Sequence, residues 1–261
     1  MTDQQLVPFF EAASSAGLFI DFDGTLSQIA RVPSEARPLS GVAEVLVALA
    51  AKFKLVAIVS GRSARELSEW LGPDVEIWGT HGAEKSWHGR TELSTHAASF
   101  TELMDRVRKE AAGRLQELGL EGVLLEDKQI MLGLHFRAAR DVEAAQKALG
   151  ALAAELAERH GLKVAGGRLA FELRPPSEFT KADVVLARAR DLDLRAAAFV
   201  GDDRVDLPGF DALDILAESG AATLRVAVDS DEAPSQLIER ADVVVDGPAG
   251  VLRFLRELAG S

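Results

Sequence analysis

Apolar and polar positions follow two rhythms along this chain. Residues 18–26 read LFIDFDGTL, a short apolar run closing on two aspartates and a Gly-Thr turn, which predicts a buried strand that opens into a loop. Ser40 stands where an N-cap belongs, ahead of a helix-period segment over residues 42–53. A second apolar run at 54–60 predicts another buried strand, 61–70 a turn and helix, and 75–79 a third strand. Strands that are apolar throughout and alternate with helices predict a parallel sheet covered on both faces, with functional loops gathered at the strands' carboxyl ends.

The middle of the chain changes rhythm. A long helical pattern over 95–118 leads into strand-like segments at 122–128 and 129–138, a helix at 141–160, and further strands at 162–164 and 168–174. This order predicts a small α+β unit on an antiparallel sheet. Ile130, Leu132, Leu134 and Phe136 fall on one face, with His135 and Arg137 on the other. Leu169, Phe171 and Leu173 repeat the apolar face opposite Arg168, Glu172 and Arg174, and Glu126 and Lys128 also share a face. That polar side is either the solvated face of a half-covered sheet or a surface for gripping a polyhydroxylated ligand.

After Pro175 and Pro176 the first rhythm returns, with a helix at 179–190, a strand at 196–200, a helix at 210–218, strands at 222–228 and 242–245, and a helix at 251–258. The pair Gly166 and Gly167 and the segment 247–250 read as turns. The expected architecture is α/β: a doubly wound, Rossmann-like parallel-sheet core over residues 1–95 and 177–261, interrupted by an inserted α+β cap at 96–176.

Composition narrows the function. The 261 residues, 48% hydrophobic, suffice for a sizeable core. A net charge of −12 opposes a nucleic-acid partner, and the absence of cysteine removes disulfides and thiolate metal sites. The 5 histidines show no pair at helical metal-ligand spacing. With no leader-like start and no apolar run approaching ~18 residues, no membrane span is expected, and a monomeric cytoplasmic protein acting on a small molecule is the expectation.

The chemistry lies at the strand ends. Asp21 and Asp23 close the first strand, Ser60, Gly61 and Arg62 the second, Lys181 opens a later helix, and Asp202, Asp203 and Asp206 follow the strand at 196–200. These are the residue types phosphoryl transfer needs, because a dianionic ester approached by an anionic nucleophile requires a screening cation. Asp21 and Asp202, with the Asp23 carbonyl, suit Mg²⁺ as hard oxygen ligands, Asp206 is a further candidate ligand, and Asp203 is either a further ligand or a partner behind one. Ser60 and Lys181 would hold the phosphoryl oxygens, Asp21 would attack phosphorus, and Asp23 would protonate the leaving alkoxide and then deprotonate water. Arg62 would touch phosphate or cap the next helix.

In these motifs the chain resembles the haloacid dehalogenase-like phosphatases, which carry the same signatures in the same order. A closer resemblance is to the trehalose-6-phosphate phosphatases: DFDGTL, SGR at Ser60 to Arg62, HG at His81 and Gly82, EDK at Glu126 to Lys128, a His-aromatic-Arg ending at Arg137, ELRP from Glu172, then Lys181 and GDD from Gly201. The resemblance implies a Mg²⁺-dependent phosphatase of trehalose biosynthesis. It also implies that Glu126, Lys128, Arg137, Arg168, Glu172 and Arg174 hold the sugar, that His81 and Gly82 border the substrate, and that the cap closes over the catalytic aspartates. The chain departs from the family pattern at Val205 and Leu207, where the family has Thr and Glu, and at Ala182, where it has Gly. These departures bear on which sugar phosphate is taken, leaving another phosphorylated disaccharide or glycosyl polyol as the alternative ester. A catalytically silent sugar-phosphate binder on the same scaffold is the third reading, against which the intact Asp21 speaks.

Overall fold

Successive side chains of the innermost strands enter two different hydrophobic layers, and this determines the architecture. The computed structural model describes residues 7, 9, 11–30, 35–167, 169–176, 179–230 and 233–260. The chain divides into two compact units, one formed by Met1–Glu92 with Phe179–Ser261 and the other by Leu93–Glu178.

The first unit begins with β1 (Ala16–Ile20), α1 (Val42–Ala50), β2 (Leu55–Val59), α2 (Ala64–Leu71), β3 (Glu76–Gly79), β4 (Glu84–Trp87) and β5 (Arg90–Leu93). The second unit contains α3 (Thr95–Ala98), α4 (Thr101–Leu118), β6 (Leu124–Asp127), β7 (Leu132–His135), α5 (Val142–His160), β8 (Lys163–Gly167) and β9 (Ala170–Arg174). The first unit then resumes with α6 (Lys181–Asp191), β10 (Ala196–Gly201), α7 (Leu207–Glu218), β11 (Ala222–Asp229), α8 (Ser235–Arg240), β12 (Val243–Asp246) and α9 (Gly247–Ala259).

The eight strands of the first unit lie in the order β12-β11-β10-β1-β2-β3-β4-β5. Pairing is parallel from β12 to β3, and β4 runs antiparallel to β3. Leu18 and Ile20 of β1, with Ala198 and Val200 of β10, pack with Leu46 of α1, Leu67 of α2 and Leu255 of α9. Phe19 and Phe199 point the other way, into a layer with Val185 of α6, Phe210 of α7 and Leu237 of α8. Both faces of the sheet are therefore covered, which is why its strands read as unbroken apolar runs. The chain winds from β1 toward β2 on one side and returns at β10 on the other, so β1 marks the switch point at which such sheets open a crevice.

In the second unit the sheet order is β6-β7-β9-β8, antiparallel throughout. Leu132, Leu134, Phe136 and Leu173 pack against Met104 and Val107 of α4 and Leu149, Leu152 and Leu156 of α5. One face is thus covered by helices, as the alternation predicts.

Several local expectations differ from the structure. The N-cap of α1 is Gly41 at φ 90, not Ser40, because the entering backbone is left-handed there, a conformation glycine adopts without strain. The single helix expected at 95–118 is two, α3 and α4, with Ser94 capping the first. Gly166 and Gly167 lie in β8 rather than in a turn. The segment 247–250 is the first turn of α9: Pro248 occupies an early helical position, where its missing N–H is harmless, and a Cβ on Gly250 would sit 3.2 Å from Val245. Among the described residues no helix is long and apolar enough to cross a membrane.

Candidate active site

β1 ends level with both neighbours, Ile20 pairing with Val200 of β10 and with Ile58 of β2. The Asp21 N–H extends this ladder by one bond, donating to the Val200 carbonyl at 2.9 Å. Phe22 next to it is fully buried in the core, and Asp21 is also buried. The following turn is tight: the amides of Leu26 and Ser27 both donate to the Phe22 carbonyl, at 2.8 and 3.0 Å.

Lys181, 160 positions away in sequence, is brought to Asp21 by a capping box. The Thr180 side chain accepts from the Asp183 amide while Asp183 Oδ2 accepts from the Thr180 amide at 2.9 Å, which fixes where α6 starts. The Lys181 ammonium donates to Asp21 Oδ1 and, at 2.5 Å, to Asp206 Oδ1. Asp206 also turns its other oxygen back to the chain, accepting from the amides of Asp202 at 3.0 Å and Asp203 at 3.1 Å. The loop after β10 is tied into a knot around this one carboxylate.

One oxygen from each of Asp21, Asp202 and Asp206, all buried, lies within 4.8 Å of the others. Burial holds the Asp21 carboxyl well above the usual carboxylate range, with Lys181 opposing this and Asp206 and Asp202 adding to it. Burial, reinforced by Asp206, pushes the Asp202 carboxyl up to about 7. The Lys181 ammonium is raised: burial disfavours its charge, but Asp206 and Asp21 outweigh burial. Three carboxyl groups around one ammonium form a buried, all-oxygen donor set, which fits a hard divalent cation that displaces their protons. The cradle is also close-fitting, since a Cβ on Gly24, at φ 75, would lie 1.9 Å from Asp202 Oδ2.

The remaining residues predicted for the site take distinct positions. The Asp23 carboxylate is outside the three-carboxylate group and is held by Arg62, whose Nε and Nη2 donate to its two oxygens at 2.7 and 2.8 Å. Asp203 is exposed, and its carboxylate caps the Arg204 amide at 2.6 Å instead of joining the group. Ser60 is buried at the end of β2, where its Oγ accepts from the Arg62 amide at 3.2 Å and its carbonyl from the His81 amide at 2.8 Å. His81 adopts φ 59 and lays its ring on Gly61, where a Cβ would be 2.9 Å from the imidazole. Gly82 at φ 107 passes close to α6, where a Cβ would meet Val184 at 2.5 Å.

On the polar face of the second unit's sheet, Gly133 lies opposite both Glu126 and Glu172. Lys128 donates to Glu172 at 3.0 Å and stands 3.5 Å from Glu126; His135 Nε2 meets Glu126 at 2.7 Å, and Arg174 Nε donates to Glu172 at 2.6 Å. Burial pushes the Glu172 carboxyl up, but Lys128 and Arg174 more than reverse this, leaving it below its usual value. Burial lowers Lys128 less than Glu172 and Glu126 raise it, so its ammonium is held charged. Arg137 is exposed, and Arg168 lies outside the described residues.

Two residues that sequence reasoning passed over belong to the first unit's cluster. Fully buried Thr25 donates through Oγ1 to Asp202 Oδ1 at 3.4 Å, and Gly24 makes room for the same carboxylate. Both stand in the Gly-Thr pair of DFDGTL, which reads as turn chemistry until the distant partner is known.

A family model for Trehalose-phosphatase matches residues 19–243 of the chain. A trehalose-phosphate phosphatase of Mycobacterium marinum is 34% identical over 254 residues, spanning 93% of this chain and 61% of that protein. The chain thus spans about three fifths of the length of the curated relatives it matches, 61% and 62% for two of them. Among solved structures, a trehalose-6-phosphate phosphatase related protein superposes with a TM-score of 0.72 at 23% identity, covering 94% of this chain and 97% of that one. A haloacid dehalogenase-like hydrolase from Bacteroides thetaiotaomicron gives 0.64 at 15% identity, covering 93% and 99%. These two likenesses establish the shared fold.

Proposed function

The chain belongs to the trehalose-phosphatase family of haloacid dehalogenase-like proteins, and we propose that it is a Mg²⁺-dependent phosphomonoesterase hydrolysing trehalose 6-phosphate to trehalose and phosphate. The observation that carries this reading is the meeting of Asp21, Lys181, Asp202 and Asp206 at the end of β1.

Asp21, Asp202 and the Asp23 backbone carbonyl would hold the ion, which when bound supplies positive charge against the phosphate dianion. Lys181 and the Ser60 hydroxyl bind phosphoryl oxygens, and the bond between Lys181 and Asp21 keeps the nucleophilic oxygen aimed. Asp21 attacks phosphorus; the Asp21–phosphorus bond forms, the bond to the sugar oxygen breaks, and Asp23 gives that oxygen its proton. Asp23 then takes a proton from water, the water oxygen bonds to phosphorus, and Asp21 is released with inorganic phosphate. On the second unit, Glu126 and Glu172 accept hydrogen bonds from sugar hydroxyls, while Lys128 and Arg174 donate to ring and hydroxyl oxygens. The reading places the reaction in the cytoplasm, on a small sugar phosphate.

A panel of sugar phosphates assayed with and without Mg²⁺ tests this reading. Preferred, Mg²⁺-dependent hydrolysis of trehalose 6-phosphate is the expected result. Better turnover of another disaccharide phosphate or glycosyl polyol phosphate would replace the substrate while keeping the chemistry. Unchanged hydrolysis by an Asp21→Asn chain would overturn the chemistry itself.

A further inference from the structure

Arg62 does more than complete an SGR triplet. Its guanidinium grips both oxygens of Asp23, and its Nη1 donates to Glu66 at 3.3 Å. The Arg62 side chain is only 10% exposed, whereas that of Asp23 is 42% exposed. The grip therefore comes from the protein side and leaves the far side of the carboxylate open.

The guanidinium is itself seated. It lies 5.6 Å from the ring centroid of Phe22 and 5.5 Å from that of Trp70, and the two rings stand 5.5 Å apart. Arg37 stacks on the same Trp70 at 4.8 Å. Phe22 is fully buried between the two aspartates in sequence, so the shelf is anchored to the core at the turn that carries them. A planar guanidinium is suited to this place because it stacks on aromatic faces and offers paired donors to a carboxylate at once, which an ammonium does not. A carboxylate with one lone pair on each oxygen taken by a fixed fork can no longer rotate freely, yet keeps lone pairs for a proton.

We infer that Arg62, seated on the Phe22–Trp70 shelf, is the positioning residue for the Asp23 carboxylate, acting on the reaction only through Asp23. This rests on the reading of Asp23 as the proton-transfer group.

The experiment is a double-mutant cycle of parent, Arg62→Gln, Asp23→Asn and the double variant, assayed on trehalose 6-phosphate with Mg²⁺, with thermal unfolding recorded for each. Arg62→Gln should lower kcat roughly 10- to 100-fold, with KM changing less than about threefold, as expected when a reacting group is misplaced. In the Asp23→Asn background the same change should have no further effect, because groups that act as a unit are not additive. Arg62→Lys, which keeps charge but loses the fork, should resemble Arg62→Gln, and Trp70→Leu should give a smaller loss that also vanishes with Asp23→Asn. A slow Asp23→Asn chain that loses further activity when Arg62 is changed overturns this inference alone, as does parental kcat with a raised KM in Arg62→Gln. An Asp23→Asn chain with parental turnover overturns the reading beneath it. If Arg62→Gln unfolds at the assay temperature, the Trp70→Leu arm decides by the same criterion.

Discussion

Lys181 donates to Asp206 at 2.5 Å across 25 positions of sequence, so the first residue of α6 and the turn after β10 are joined by one buried hydrogen bond. Lys181→Met removes the only cation among the described residues of that cluster and leaves Asp21 and Asp206 facing each other. In Mg²⁺-free buffer, urea unfolding should register a loss of about 3 kcal/mol, typical of a buried pair stripped of one partner. Turnover with Mg²⁺ should fall by ~10²- to 10³-fold, the scale seen when a preorganised donor to a reacting oxyanion is lost.

The metal response should depend on pH. The Asp202 carboxyl, ordinarily near 3.8, is pushed up to about 7 by burial and by Asp206. In the metal-free protein the folded state keeps a proton on Asp202 that the unfolded chain releases, so the contribution of this one group to stability is complete below about pH 4 and declines as pH rises toward 7. A cation must displace that proton, so its affinity grows with pH through this window. The rise in Tm caused by Mg²⁺ should therefore be small at acidic pH and larger at neutrality. Equal shifts across the range would contradict a protonated Asp202.

Gly24→Ala tests how closely the cradle is fitted. The new methyl would overlap Asp202 Oδ2, 1.9 Å away, on a backbone at φ 75 that disfavours alanine. The Mg²⁺ concentration for half-maximal activity should rise roughly 10- to 100-fold, the range found when groups supporting a ligand are disturbed. Secondary structure measured by circular dichroism should be unchanged.

Glu172→Gln probes the second unit. Lys128 and Arg174 would lose a shared anion, and a sugar hydroxyl would lose a charged acceptor. KM for trehalose 6-phosphate should rise about tenfold or more, in keeping with a hydrogen bond to a charged group, while p-nitrophenyl phosphate hydrolysis is unaffected. Because the Glu172 carboxyl is held below its usual value, its stabilising contribution is complete above the ordinary carboxylate range and lost as pH falls through the lowered value. Acid unfolding of the parent should therefore be steeper than that of the variant.

β1 and β10 are legible in the sequence because both faces are buried and no polar position interrupts them. The same signal is missing from β4 and β5, EKSW and RTEL, which stand at the sheet's edge and turn at His88 and Gly89, both at positive φ. Helix starts fare worse, because Gly41 and Pro248 act through backbone geometry and not through periodicity. In the site, the nearness of Asp21 and Asp202 follows from the pairing of β1 with β10, which strand pattern and topology rules anticipate. The grip of Arg62 on Asp23 joins two loops 39 positions apart, and no spacing rule reaches across loops. Asp203 illustrates the reverse: three acids in GDDRVD look alike in sequence, yet hydrogen bonding sends the second outward to cap a turn.

β10 slots in beside β1, not beside β5 where the first half of the sheet leaves off, so the eight-stranded frame is completed whatever is threaded between positions 92 and 179. The insert's length and make-up are thus free to vary without changing which strands are neighbours in the larger sheet.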